Sequence, residues 1–138
     1  MTESNTVPYG ALILRVAMGI LFLAHAGMKI FVFTPAGTAG FFASLGLPGW
    51  LAYLTMTAEV LGGAALILGV YTRVVALALI PILLGAIVTV HAAKGFWADA
   101  GGWEFVGFWA LSLLALALIG DGALALKPTT KPAAKTQR

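Results

Sequence analysis

The stretch YGALILRVAMGILFLAHAGMKIFVF, Tyr9–Phe33, carries three strongly polar side chains, Arg15, His25 and Lys29, in an otherwise apolar run. A membrane-crossing helix needs about 20 mainly apolar residues, and this run is long enough. A charge placed in hydrocarbon is costly, so it normally finds a partner or lines a functional cavity. The stretch therefore predicts a transmembrane helix that turns a polar face toward other helices rather than toward lipid.

The rest of the chain repeats the pattern. Of its 138 residues 61% are hydrophobic and only 9% charged, and the mean hydropathy is +1.01. A soluble domain carries about 25% charged residues, so a water-soluble fold is excluded. Spans are expected at about 9–33, 50–70, 74–94 and 103–123, with Pro81 inside the third, where a bundle tolerates a kink. Between the first two lies a turn-rich loop holding Pro35, Gly37, Gly40, Phe41, Phe42, Gly46, Pro48 and Gly49. Its paired phenylalanines predict that it lies against the membrane interface. The predicted fold is all-α, a single-domain integral membrane four-helix bundle over residues 9–126. A short N-terminal segment, 1–8, precedes it, and a basic tail, 127–138, is expected to be disordered.

Orientation follows from the basic residues. Arg73, Lys127, Lys131, Lys135 and Arg138 fall on one side, and Lys29 and Lys94 on the other. This bias puts both termini in the cytoplasm. The net charge of +3 comes largely from that tail, so nucleic acid is not an expected partner; membrane lipid is. The first nine residues lack a basic region and a cleavage site, so no removable signal peptide is read. The absence of cysteine excludes disulfides, thiol relays and cysteine-ligated clusters. No intrinsic cofactor is expected; any electrons must travel on an organic carrier or belong to a partner.

Depth along the helices sorts the polar residues. Counting about 1.5 Å per residue, His25 lies about 6 Å and Arg15 about 21 Å deeper than Lys29. Glu59 lies about 14 Å below Trp50, near the bilayer centre. Pairing Arg15 with Glu59 is the cheapest way to carry both charges. Such a pair either only clamps two helices or leaves Glu59 to anchor a ligand or move a proton; in a third reading the two never meet. His25, Lys29, His91 and Glu104 share the outer third of the bundle above Glu59, with Trp50 and Trp103 at the same level. These seven residues form the candidate ligand pocket, in which His and Lys would donate to the carbonyls of a quinone and an indole would stack on its ring. Plain interfacial hydrogen bonding of the histidines is the bland alternative. No close-spaced ligand motif supports a metal, no catalytic residue can be assigned, and Gly19, Gly62 and Gly63 read as close helix contacts. The segments His25–Phe31 and His91–Trp97 are faintly alike, as two parallel hairpin repeats would be.

Taken in order, Leu14-Arg15-Val16, His25-Ala26-Gly27-Met28-Lys29, Phe41-Phe42, Gly46-Leu47-Pro48, Glu59-Val60-Leu61-Gly62-Gly63, Leu68-Gly69-Val70-Tyr71-Thr72-Arg73, His91 with Gly95-Phe96, and Gly102-Trp103-Glu104-Phe105 resemble the DoxX family of small four-helix bacterial membrane proteins. The resemblance spans roughly Leu14 to Asp121. It implies similarity to the small membrane subunit of thiosulfate:quinone oxidoreductases, and a link to redox stress and to quinone or catechol detoxification. A defined reaction is not implied for most members.

Three functions are therefore carried forward. The first is a quinone-interacting membrane subunit of an oxidoreductase, working with a redox-enzyme partner or as a homo-oligomer. The second is a non-catalytic anchor or assembly factor for a partner protein, favoured by the lack of any nucleophile–base pair or phosphate loop. The third is small-molecule transport, for which four spans are few unless the chain oligomerises.

Overall fold

The structure is a computed structural model, and it describes residues 6–129. Among these the fold is all-helical: five α-helices, no strand, and a single isolated bridge between Val70 and Lys127. Helix α1 (Val7–Gly27) starts with a proline in its first turn, where a missing N–H costs nothing. It runs on into a π-helical turn, Met28–Val32. Helix α3 (Gly49–Leu68) follows Pro48, and α4 (Thr72–Ala86) also ends in a π-helical turn, Ile87–His91. Helix α5 is Glu104–Ile119.

The segment expected to be a loop holds the fifth helix, α2 (Pro35–Ser44). Thr34 adopts a positive φ of 66°, and its hydroxyl accepts from the Gly37 N–H at 3.1 Å. Pro35 at the first position completes the helix start, so capping chemistry overrides two glycines.

Three helical runs are long and apolar enough to cross a membrane: Val7–Val32, Gly49–Leu68 and Thr72–Lys94. Helix α5 is as apolar but has 16 residues, ending at Ile119, short of the expected 123. Helix α1 packs mainly on α3 and α4 on α5; α3–α4 and α1–α5 contacts close the ring, and α2 lies against α3. The core is Met18, Phe22, Leu66, Leu79, Leu83, Trp109, Leu113 and Leu116. Glycines set the spacing. A Cβ on Gly19 would lie 2.6 Å from the Gly63 carbonyl, and one on Gly62 would meet Leu79 of α4 at 2.8 Å. The two adjacent glycines of α3 thus serve two different neighbours.

At one end, two arginines tie helix ends together. Arg15 is fully buried and does not reach Glu59. Its guanidinium instead donates to the carbonyls of Leu66 (3.0 Å) and Ile67 (2.8 Å) at the end of α3, and of Asp121 (3.0 Å) and Ala123 (2.8 Å) beyond α5. The last carbonyls of a helix have no donor within it, and a planar guanidinium presents five. Arg73, at the start of α4, does the same for α5, donating to Ala117, Leu118 and Ile119 at 3.2, 3.2 and 3.4 Å. In each hairpin the first helix supplies an arginine that caps the second, and the second ends in a glycine of positive φ, Gly69 (75°) or Gly120 (102°). With the paired π-helical turns, this likeness extends the faint sequence echo into backbone geometry. A Cβ on Gly120 would lie 2.5 Å from the Arg73 Nη2. Gly120→Ala is therefore expected to cost about 2 kcal/mol, half from a positive-φ backbone conformation that glycine alone adopts freely and half from the displaced cap. A lowered thermal midpoint in detergent checks this; Ser112→Ala, whose hydroxyl only bonds back within α5 to Phe108 O, is the control.

The described ends meet at this arginine end, where the Ala123 N–H donates to Pro8 O at 2.9 Å. The tail expected to be loose from residue 127 is held through Thr129. Lys127 exchanges bonds with Gly69 O and the Tyr71 N–H, and Thr129 donates to the Asp121 carboxylate. Residues 130–138 lie outside the described part.

Candidate functional site

At the opposite end, the π-helical turn after α1 brings Lys29 over α3. Its Nζ meets both oxygens of Glu59, at 2.8 and 3.0 Å. The Glu59 side chain is 4% exposed and that of Lys29 23%. This replaces the expected Arg15–Glu59 pair. Depth along the helix allowed either cation, but the C-terminal carbonyls of α3 claim Arg15, whereas Lys29 has a long stem directed down onto Glu59. The Thr38 hydroxyl of α2 shares its proton between the Lys29 carbonyl, among the last of its helix, at 3.0 Å and Thr34 O at 2.9 Å. Lys29 thus holds both the buried carboxylate and the short helix above it.

The ion pair forms part of the wall of a partly open cavity of about 890 Å³ lined by residues of all five helices. The volume is within the range of small-molecule and cofactor sites. Most of the lining is apolar, with Phe41 and Phe42 of α2 closing one side and Pro81 and Leu83 of α4 another. His25 and His91 both line it, as do Thr55 and Thr89. His25 sits in an aromatic cluster, its ring 4.8 Å from that of Trp109 and 6.4 Å from that of Phe105. Its Nδ1 bonds Leu21 O at 3.1 Å, and the Nδ1 of His91 bonds Gly101 O at 2.7 Å.

Four of the seven candidate pocket residues, His25, Lys29, Glu59 and His91, are thus brought to one cavity. The other three are not. Trp50 is 66% exposed on the outer surface. Trp103 packs edge-on against Phe96, 4.9 Å between centroids, and lines a separate shallow depression with Glu104. The Glu104 carboxylate accepts from the Ala98 N–H at 3.0 Å, bracing the loop before α5. Depth along a helix does not give rotation about its axis, and these three face away from the cavity. Phe105 and Trp109, missed in the sequence, take their place. Their i,i+4 spacing was the available signal, since it puts both rings on one helix face. Among the described residues no three His, Cys, Asp or Glu side chains lie close enough to hold a metal.

Apolar helices long enough to span a membrane, buried arginine caps and a largely apolar cavity with an ion pair in its wall define a small helical membrane protein with a deep cavity between its helices. The chain belongs to the DoxX family, which it matches over residues 10–92. It is 40% identical over 119 residues to the Bacillus subtilis (strain 168) protein named "Putative oxidoreductase CatD", covering 86% of this chain and 85% of that one. It is 32% identical over 126 residues to "Inner membrane protein YphA" of Escherichia coli (strain K12), covering 86% and 89%. No solved structure matches the chain.

Proposed function

We propose that this DoxX-family protein crosses the bacterial inner membrane four times and receives the head group of a quinone-type carrier in its cavity, as the membrane subunit of an oxidoreductase. The observation that carries this reading is the cavity itself. Apolar walls and an aromatic cluster suit a ring and a lipid-soluble tail, and the few polar groups suit ring oxygens. The name of the Bacillus relative agrees with a redox role, and that of the Escherichia relative with the inner membrane. The proposed topology places the arginine end, with Arg73 and Lys127, in the cytoplasm, and the Lys29–Glu59 end toward the periplasm.

The test uses purified protein in lipid nanodiscs and a short-tailed ubiquinone analogue, with binding followed by quenching of tryptophan fluorescence. Saturable binding of the analogue, added oxidised or reduced, is expected, and that of the reduced form is weakened at least about tenfold by His25→Ala or Glu59→Gln, the scale of losing one well-placed polar contact. No saturable binding, or binding unchanged in both variants, refutes the reading.

One observation favours a second reading, that of a non-catalytic anchor. Arg15, Arg73 and the Lys29–Glu59 pair are all engaged in holding helices together. In that case a redox partner co-purifies reproducibly while the isolated chain binds no carrier.

A further inference from the structure

The hydrogen bonds of the two histidines fix what they offer to the cavity. A carbonyl oxygen only accepts, so the bond from His25 Nδ1 to Leu21 O places a proton on Nδ1. The bond from His91 Nδ1 to Gly101 O does the same. In a neutral imidazole the other nitrogen then carries a lone pair. Among the described residues neither Nε2 has a protein partner, and neither is among the covered, unsatisfied atoms. Both rings line the cavity, so both present an open acceptor there.

The other polar groups lean the same way. The Thr89 hydroxyl spends its proton on Gly85 O at 2.7 Å, leaving only accepting capacity. Lys29 commits two contacts to Glu59, which keeps one N–H in reserve, and the Glu59 carboxylate only accepts. The Trp109 N–H is covered by protein and without a partner, so it offers nothing to the cavity. Among the described residues lining the cavity, only the Thr55 hydroxyl and the remaining Lys29 N–H are left to donate.

We infer that the cavity selects a ligand that donates hydrogen bonds: the dihydroxy, reduced form of an aromatic carrier in preference to its dicarbonyl, oxidised form. His25 and His91 are the residues that set the preference. This rests on the carrier-binding reading above and reverses the polarity expected from the sequence, in which the histidines donate to carbonyls. The physical basis is the penalty on unpaired polar groups. A site built of acceptors rejects a ligand whose own oxygens only accept, because both sides then lose their water without replacement.

The experiment compares three probes that share one ring on the full chain in nanodiscs, at pH 8 and without oxygen. They are the ubiquinone analogue, its quinol, and the dimethyl ether of that quinol, which keeps the reduced ring but has no donors. The quinol is expected to bind about tenfold more tightly than either of the others. The double variant His25→Phe/His91→Phe should bring that ratio close to one, and the single variant His25→Gln, whose amide can turn to donate, should lower it while raising affinity for the quinone. The readout is a ratio of affinities, which a merely structural role of the histidines would leave unchanged. Equal binding of quinone and quinol, quinol binding no tighter than its ether, or a preference that survives the double variant overturns the inference. Binding of none of the three instead overturns the carrier-binding reading beneath it.

Discussion

Replacing Arg15 by methionine is expected to remove about 3–5 kcal/mol of stability, enough to empty the membrane of folded protein. The side chain is fully buried and serves four carbonyls, two ending α3 and two in the segment after α5. Hydrogen bonds to charged groups are worth about 1.5–3 kcal/mol each, and bonds sharing one anchor do not add fully. Methionine fills most of the volume, so the loss reports the missing donors rather than a void. Arg15→Lys keeps the charge but not the fork and is expected to recover less than half. Thermal midpoints of detergent-solubilised protein decide the matter; a midpoint for the methionine variant within about 2 °C of wild type would show that water satisfies those carbonyls.

The second large effect belongs to Lys29 and Glu59. Removing either partner alone, as in Lys29→Met or Glu59→Leu, is expected to cost about 3–5 kcal/mol, because the other is left charged against an apolar wall. Removing both is expected to cost less than about 1 kcal/mol, since a buried pair replaced by apolar groups of similar volume is often neutral. A double-mutant cycle on the same melts gives the coupling directly, and additive losses would mean that the two charges do not depend on each other. The contrast with Arg15 is instructive. There the partners are main-chain carbonyls, which no second substitution can remove, so no compensating variant exists.

The double variant, near neutral in stability, also separates architecture from ligand binding. Lys29→Met/Glu59→Leu should hold the bundle while depriving the cavity of its ionic wall. Carrier affinity can then be measured in a protein whose fold is not in question.

Much of the fold was legible from apolar run lengths alone, because lipid forces each crossing segment to satisfy its backbone internally as helix. Helix α2 was not, since its glycines read as a loop, and only the Thr34 cap shows why it winds. The site was half legible. Residues such as His25 and Glu59 stand out because charge and imidazole are rare in an apolar run. Phe105 and Trp109 do not stand out, since an aromatic on a membrane helix is ordinary.

The sequence by itself determined that this chain is a helical membrane protein with polar side chains committed to its interior. Composition and segment length suffice for that, because the cost of polar groups in hydrocarbon does not depend on how the helices are arranged. Only the tertiary structure decided which polar group meets which: that Glu59 takes Lys29, that Arg15 takes helix ends, and that Trp50, Trp103 and Glu104 turn away from the cavity. Those choices rest on rotation about each helix axis and on competition from main-chain carbonyls, and position along a sequence encodes depth but neither of these.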